Sequence, residues 1–119
     1  MYMSDYRTTW ETYVASWKTP SVEQKRALYQ QALSPECVYT DSLTQVAGWD
    51  ELLAYMQEFH EQVPGGYFVT VEFMAHHDRS LARWELRGAD GAHLGNGTSY
   101  GEYDAHGKLV AMNGFFATP

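Results

Sequence analysis

The sequence predicts a single α+β domain in which three N-terminal helices pack on one face of a strongly curved, mostly antiparallel sheet. Three observations carry this expectation. Apolar residues recur at helical spacing only in the first half of the chain. A Pro-Gly-Gly break at 64–66 ends that pattern, and everything beyond it reads as strand-like runs separated by short turn sequences. Helices first and antiparallel strands afterwards is the order of an α+β domain, in contrast to alternating βα units.

The first helix is expected over about 4–18, because Tyr6, Trp10, Tyr13, Val14 and Trp17 fall on one helical stripe. Pro20 breaks it, and Ser21 with Gln24 three residues later is a capping-box signature for a second helix over about 22–33. Pro35 stops that helix, and "CVYT" follows as a short β-rich run ending at Asp41. After the loop "SLTQVAG", the segment "WDELLAYMQEFHEQV" places Leu52, Leu53, Met56, Phe59 and Val63 on one face. Asp50 and Glu51 fall in its first turn, where the helix dipole favours anions.

The strands are "YFVTVEFMAHH", "SLARWELRG", "HLGNGTSYGEYD" and "KLVAMNGFFA", joined by "DR", "ADGA" and "AHG". Period-two alternation puts Ala82, Trp84 and Leu86 towards the core and Arg83 with Glu85 away from it. By the same rule His77 shares a face with Tyr67, Val69, Val71 and Phe73, the more apolar set, and is expected to point inward. Gly95, Gly97 and Ser99 share another face, and glycines inside a strand mark a bulge or strong curvature. No helix follows "GNG", so it offers no helix N-terminus to a phosphate.

At 119 residues the chain, 1–119, fits one domain with one core. Its 45% apolar and 15% aromatic content calls for a packed interior, with polar-tipped rings left over to line a pocket for a small apolar molecule. Eight Lys plus Arg against 15 Asp plus Glu give a net charge of −7, which repels phosphate backbones and anionic membranes, so no nucleic acid or membrane partner is expected. The lone Cys37, the absence of a signal-like N-terminus and the absence of a long apolar run point to a soluble, cytoplasmic protein. No metal site is expected, because His76 and His77 should face opposite sides of a strand and His60, His93 and His106 are scattered.

Three stretches, "TYVASW", "CVYTDSL…GWDEL" and "DAHGKLVAMNGFF", taken in this order and spacing, resemble the NTF2-like superfamily, particularly its SnoaL-like and ketosteroid-isomerase-like members. The resemblance covers nearly the whole chain. It implies a closed cone in which sheet and helices enclose a pocket, cofactor-free chemistry, and homodimers formed through sheet faces. Carried over residue by residue, Asp41 matches the general base that shuttles a proton between carbons beside a carbonyl. Tyr13 matches the tyrosine that donates to the forming oxyanion. Ser99 falls where the isomerases hold a protonated carboxylic acid, a much stronger donor than a serine hydroxyl. Ser42 replaces the proline that usually follows the aspartate.

Each of these residues also has a plainer reading. Asp41 can bond its own backbone at the turn before "SLT", or it can serve as a base among Tyr39, Trp49 and other rings, where a carboxylate loses hydration. Tyr13 can simply fill the core. His77 is a candidate second acid/base or ligand contact, or a plain strand-end histidine. The pocket wall is expected from Trp17, Tyr39, Trp49, Met56 and Phe59 on one side, and from Trp84, Met112 and Phe116 on the sheet. An Arg83–Glu85 water-activating pair would force Trp84 outward and is disfavoured. Three functions stay open: cofactor-free proton transfer on a small apolar carbonyl compound (isomerase- or cyclase-like), capture of such a molecule without turnover, and a protein-interaction module.

Overall fold

The computed structural model describes the backbone of residues 3–117 and the side chains of residues 5–117. Three helices, α1 (Met3–Ser16), α2 (Val22–Ala32) and α3 (Gly48–Gln62), accompany six strands. These are β1 (Leu33–Thr40), β2 (Gln45–Ala47), β3 (Tyr67–His76), β4 (Arg79–Arg87), β5 (His93–Tyr103) and β6 (Leu109–Phe115). They form one sheet in the order β2-β1-β6-β5-β4-β3, in which β1 and β6 run parallel and the other neighbours antiparallel. The α+β class and the three-helix, curved-sheet plan are as the sequence predicts. No helix among the described residues is long and apolar enough to cross a membrane.

The aromatic stripe of α1 is buried at Tyr6, Trp10, Tyr13 and Trp17, and Tyr6 stacks on Tyr103 of β5 with ring centroids 4.1 Å apart. The helix ends two residues before the expected boundary, in a tightened turn where Trp17 and Lys18 donate to the carbonyls of Val14 and Ala15. Pro20 restricts Thr19 to non-helical backbone, so the chain cannot continue the helix. The fully buried Lys25 of α2 then takes over the loose end. Its Nζ donates to the carbonyl of Ser16 (2.6 Å), to the carbonyl of Thr19 and to Nε2 of His60 on α3 (2.6 Å). Ser21 caps α2 by accepting from the Gln24 N–H at 3.3 Å.

The strands depart from the sequence reading in three places, each with a local cause. β1 starts at Leu33, not at Cys37, and carries Pro35 inside it. Pairing with β6 slips between Leu33 and Val38, and such an irregularity is where a strand tolerates a residue that cannot donate. The loop after Asp41 contains a short strand, β2, that pairs back on β1. In β3 a bulge between Thr70 and Glu72 inverts the alternation. Phe68 therefore packs inward before the bulge and Phe73 and Ala75 after it, while Val71 and Met74 are 50% and 51% exposed. Further register shifts lie between Leu86 and Arg87 and between Glu102 and Tyr103. These bulges bend the sheet around α1 and α3.

Candidate functional site

The concave sheet face, α1 and α3 enclose a cavity of about 530 Å³. Trp10, Tyr13, Val14 and Trp17 come from α1, and Tyr55, Glu58, Phe59 and Gln62 from α3. The sheet supplies Tyr39, Phe68, Trp84, Leu86, Ser99 and Gly114, with Phe116 beyond the end of β6. Leu43 and Leu94, 67% and 54% exposed, stand at the mouth. Around Trp17 the rings of Tyr39, Tyr55, Phe59 and Phe68 lie within 5.4–6.1 Å, three of them edge-on, so the wall is a self-supporting aromatic cluster.

Asp41 closes the end of β1 and lies on this wall. Its Oδ1 accepts from the backbone N–H groups of Leu43 (2.8 Å) and Thr44 (3.0 Å), and its own N–H donates to the Thr44 carbonyl (2.9 Å). Oδ2 accepts from the hydroxyls of Tyr39 (2.7 Å) and Tyr55 (2.8 Å). The turn reading and the pocket reading therefore hold together, one through each oxygen. Burial, and then the neighbouring Tyr13 and Asp41, hold the Tyr39 phenol far above the usual tyrosine range. Burial, and then its bond to Asp41, do the same for Tyr55. Both phenols thus remain protonated donors to the carboxylate.

Two further hydroxyls reach the cavity, and each is fixed by an indole. Trp17 Nε1 donates to the Tyr13 hydroxyl at 3.0 Å, and Trp84 Nε1 donates to Ser99 Oγ at 2.9 Å. An indole N–H can only donate, so in both pairs the hydroxyl oxygen is the acceptor and its own proton is left over. Among the described residues neither proton has an acceptor, so both are available to a ligand in the cavity. Burial raises the Tyr13 phenol far above its ordinary range, against the bond from Trp17, which keeps it a neutral donor.

Two glycines make this arrangement possible. A Cβ on Gly97 would lie 2.3 Å from the Trp84 ring and 2.6 Å from the Phe115 carbonyl, so the bare backbone is what lets the indole lie flat and reach Ser99. A Cβ on Gly114 would stand 3.6 Å from the Asp41 Cβ and the Tyr39 hydroxyl and 3.8 Å from Ser99 Oγ, all ordinary contacts. Gly114→Ala is therefore expected to fold with near-native stability while filling the space between Asp41 and Ser99. Binding of 2-naphthol, an apolar phenol, should weaken by roughly tenfold, the scale of about 1.4 kcal/mol lost to a misplaced methyl. Unchanged affinity by fluorescence titration would place the ligand elsewhere in the cavity.

Of the residues singled out from sequence, Asp41, Tyr13, Ser99, Trp17, Tyr39, Phe59, Trp84 and Phe116 come together on this wall. His77, Trp49, Met56 and Met112 do not. β3 ends at His76, and a left-handed backbone at His77 (φ 53°) carries that histidine out onto the β3–β4 turn, where its Nδ1 lies 3.1 Å from that of His76. Trp49 turns the other way, donating to the Ser34 carbonyl at 3.0 Å and packing on Tyr29. Met56 is fully buried behind the wall, its sulfur accepting from the Tyr29 hydroxyl at 2.9 Å. Met112 shares the inward side of β6 with Gly114 but is fully buried in the core. Tyr55, Trp10 and Phe68 are wall residues that sequence reasoning missed. A signal for Tyr55 was present, since it lies three residues after Leu52 and four before Phe59 on one helical face.

Comparison with known proteins adds a family and a set of folds. A family model for the SnoaL-like domain matches residues 10–112. A solved structure from Agrobacterium tumefaciens str. C58, described as a candidate isomerase of the SnoaL-like family, superposes with a TM-score of 0.89 at 26% identity, covering 98% of this chain and 100% of that one. A candidate SnoaL-like polyketide cyclase from Jannaschia sp. CCS1 gives 0.77 at 14% identity, with 95% and 85% covered. An NTF2-like protein from Exiguobacterium sp. 255-15 gives 0.74 at 16% identity, with 93% and 99% covered. The last two show the shared fold. No curated protein matches this chain.

Proposed function

This chain belongs to the SnoaL-like family, and from that premise we propose that it takes a small apolar carbonyl compound into the cavity and moves a proton on it without a cofactor. The observation that carries this reading is the convergence of the Asp41 carboxylate and two hydroxyls with uncommitted protons, Tyr13 and Ser99, on one aromatic-walled cavity that Glu58 also lines. Asp41 Oδ2 accepts the proton from a carbon beside the carbonyl. The C–H electron pair becomes the enolate π bond and charge moves to the carbonyl oxygen, where Tyr13 and Ser99 donate. Asp41 returns the proton to another carbon, which completes an isomerisation. The same abstraction begins a cyclisation, with the enolate carbon attacking a second carbonyl. The likeness to a candidate isomerase and a candidate cyclase agrees with both outcomes.

The test needs no knowledge of the natural substrate. 5-Nitrobenzisoxazole is opened when a base removes its one acidic C–H proton and the N–O bond breaks, giving a coloured cyanonitrophenolate. Turnover of this probe by the wild-type protein, lost in Asp41→Asn, supports a working base, and equal turnover in the two removes Asp41 from the mechanism. A second reading, capture without turnover, is favoured by the four donors that already crowd Asp41. A rise in unfolding temperature with 2-naphthol but no probe turnover selects it.

Homodimer formation is part of the proposal. Val69, Val71, Met74 and Leu81 are exposed on β3 and β4 around the Arg83–Glu72 ion pair, and this exposed apolar surface with a charge pair at its middle supports pairing with a second copy. Sedimentation is expected to give twice the monomer mass of 13.6 kDa, and Val71→Lys with Met74→Lys should return it to the monomer value. A wild-type protein that sediments as a monomer at micromolar concentration sinks the dimer.

A further inference from the structure

Resting on the base reading and deepening it, we propose that Tyr55 is a displaceable latch on Asp41, a positioning residue that occupies the carboxylate's last acceptor position and withdraws when a ligand arrives. An ionised carboxylate has about four lone-pair positions. In Asp41 all four are taken, by two amides on Oδ1 and two phenols on Oδ2, at 2.7–3.0 Å. A base so occupied has no lone pair aimed at a ligand C–H, so one donor must leave before chemistry.

The four donors are not equally held. The amides of Leu43 and Thr44 belong to a turn that the Asp41 N–H closes on the Thr44 carbonyl, and cannot leave without unfolding it. Tyr39 is 8% exposed, lies on β1 two residues before Asp41, and sits between β2 and β6 with its ring against Trp17. Tyr55 alone reaches Asp41 from another element, α3, and it is half-buried on the cavity wall. Its ring leans on Trp17 edge-on and on Tyr39 at 5.7 Å, contacts that a change of rotamer breaks without moving backbone. Once it swings away, Oδ2 keeps the bond from Tyr39 and presents its second lone pair to the cavity. The proton then passes from ligand carbon to Oδ2 as described above, and Tyr55 retains its own proton throughout.

The experiment compares wild type, Tyr55→Phe, Asp41→Asn and the double variant in 5-nitrobenzisoxazole opening, after thermal unfolding has shown each to be folded. Tyr55→Phe uncovers Oδ2 permanently and should raise kcat roughly tenfold, the scale of one charge-assisted hydrogen bond. The gain should disappear when Asp41→Asn is added to Tyr55→Phe, which ties it to the carboxylate. A merely structural role for Tyr55 gives no such gain. Equal or slower opening by Tyr55→Phe, with Asp41→Asn dead, overturns the latch and leaves the base reading standing. Full activity in Asp41→Asn overturns both. Where wild type is silent, the latch requires Tyr55→Phe to be active, and silence in both overturns it. A second readout is independent of turnover. In protein labelled with ¹³Cζ-tyrosine, saturating 2-naphthol should shift the Tyr55 resonance well beyond that of Tyr39, and an unmoved Tyr55 signal counts decisively against displacement.

Discussion

Asp41→Asn is expected to slow the opening of 5-nitrobenzisoxazole by at least about a hundredfold while leaving the protein folded. The asparagine keeps the shape of the side chain and one carbonyl oxygen. That oxygen can go on accepting from the Leu43 and Thr44 amides, so the turn that ends β1 survives. Its NH₂ group faces the Tyr39 and Tyr55 hydroxyls, which can rotate to accept from it. What disappears is the basic oxygen. Asp41→Ala is the poorer variant, because it strands two amides and two phenols in a partly buried place and confounds activity with stability. The kinetic comparison is therefore made with asparagine, and turnover within a factor of a few of wild type would remove the carboxylate from the chemistry.

Lys25→Met is expected to cost about 2–3 kcal/mol of stability in urea unfolding, with little direct effect on the cavity, which Lys25 does not line. Methionine retains an apolar stem of similar length, so the loss isolates the three hydrogen bonds by which Lys25 joins the end of α1 to α3. Against it stands the relief of no longer burying an ammonium, whose pKa burial pulls down to about 8, still protonated at pH 7. The lost bonds should win, because two main-chain carbonyls and a ring nitrogen are left facing a thioether. The same pair gives the stability a pH dependence whose sign follows from proton binding. Because Lys25 only donates, His60 Nε2 must be the acceptor and the ring neutral. Burial, and then the charge of Lys25, hold His60 below its ordinary value of 6.5. As pH falls through about 6.5 the unfolded chain takes up a proton that the folded chain refuses, so stability declines on acidification. The unfolding midpoint of wild type should drop between pH 7.5 and 5.5 more steeply than that of His60→Gln, which retains an acceptor. Parallel curves would show that the pair contributes nothing in this window.

Much of the architecture was legible because it depends on periodicity. The stripe from Tyr6 to Trp17 and the face of α3 read as helices since burial of one side selects a repeat near 3.6 residues. The inward set Ala82, Trp84 and Leu86 could be read by alternation because no bulge interrupts β4 between them. The same rule failed for Val69 and Val71, because the bulge at Val71 shifts the strand by one residue and nothing in a run of β-formers marks where an extra residue sits. It failed for His77 because β3 ends at His76 and a left-handed backbone takes His77 out of the alternation that carries Phe73 and Ala75 inward. Met56 and Met112, expected on the pocket wall, are buried on the sides of their elements that spacing picks out, and Trp49, expected there too, packs against the core from the first turn of α3. Periodicity says which side of an element is buried, but not whether it meets another side chain or an empty space. Lys25 went unread, since a lysine on a short polar helix is ordinarily solvated.

Turn residues and hydrophobic spacing by themselves determined that this chain packs three helices on a curved, mostly antiparallel sheet and that Tyr13 lies on a buried helical face, whereas the places of Asp41 and Ser99 in a pocket were implied by the family resemblance. The tertiary structure alone decided which donors those groups receive: Tyr55 on Asp41, Trp17 on Tyr13, Trp84 on Ser99, and the Lys25–His60 contact behind them. The reason is one of range. A residue's conformational preference, and the side of its element that spacing marks for burial, are set by neighbours within a few positions. Three of these partners lie 14 or more positions apart in sequence and depend on where bulged strands and helix ends come to rest to within a few tenths of an ångström.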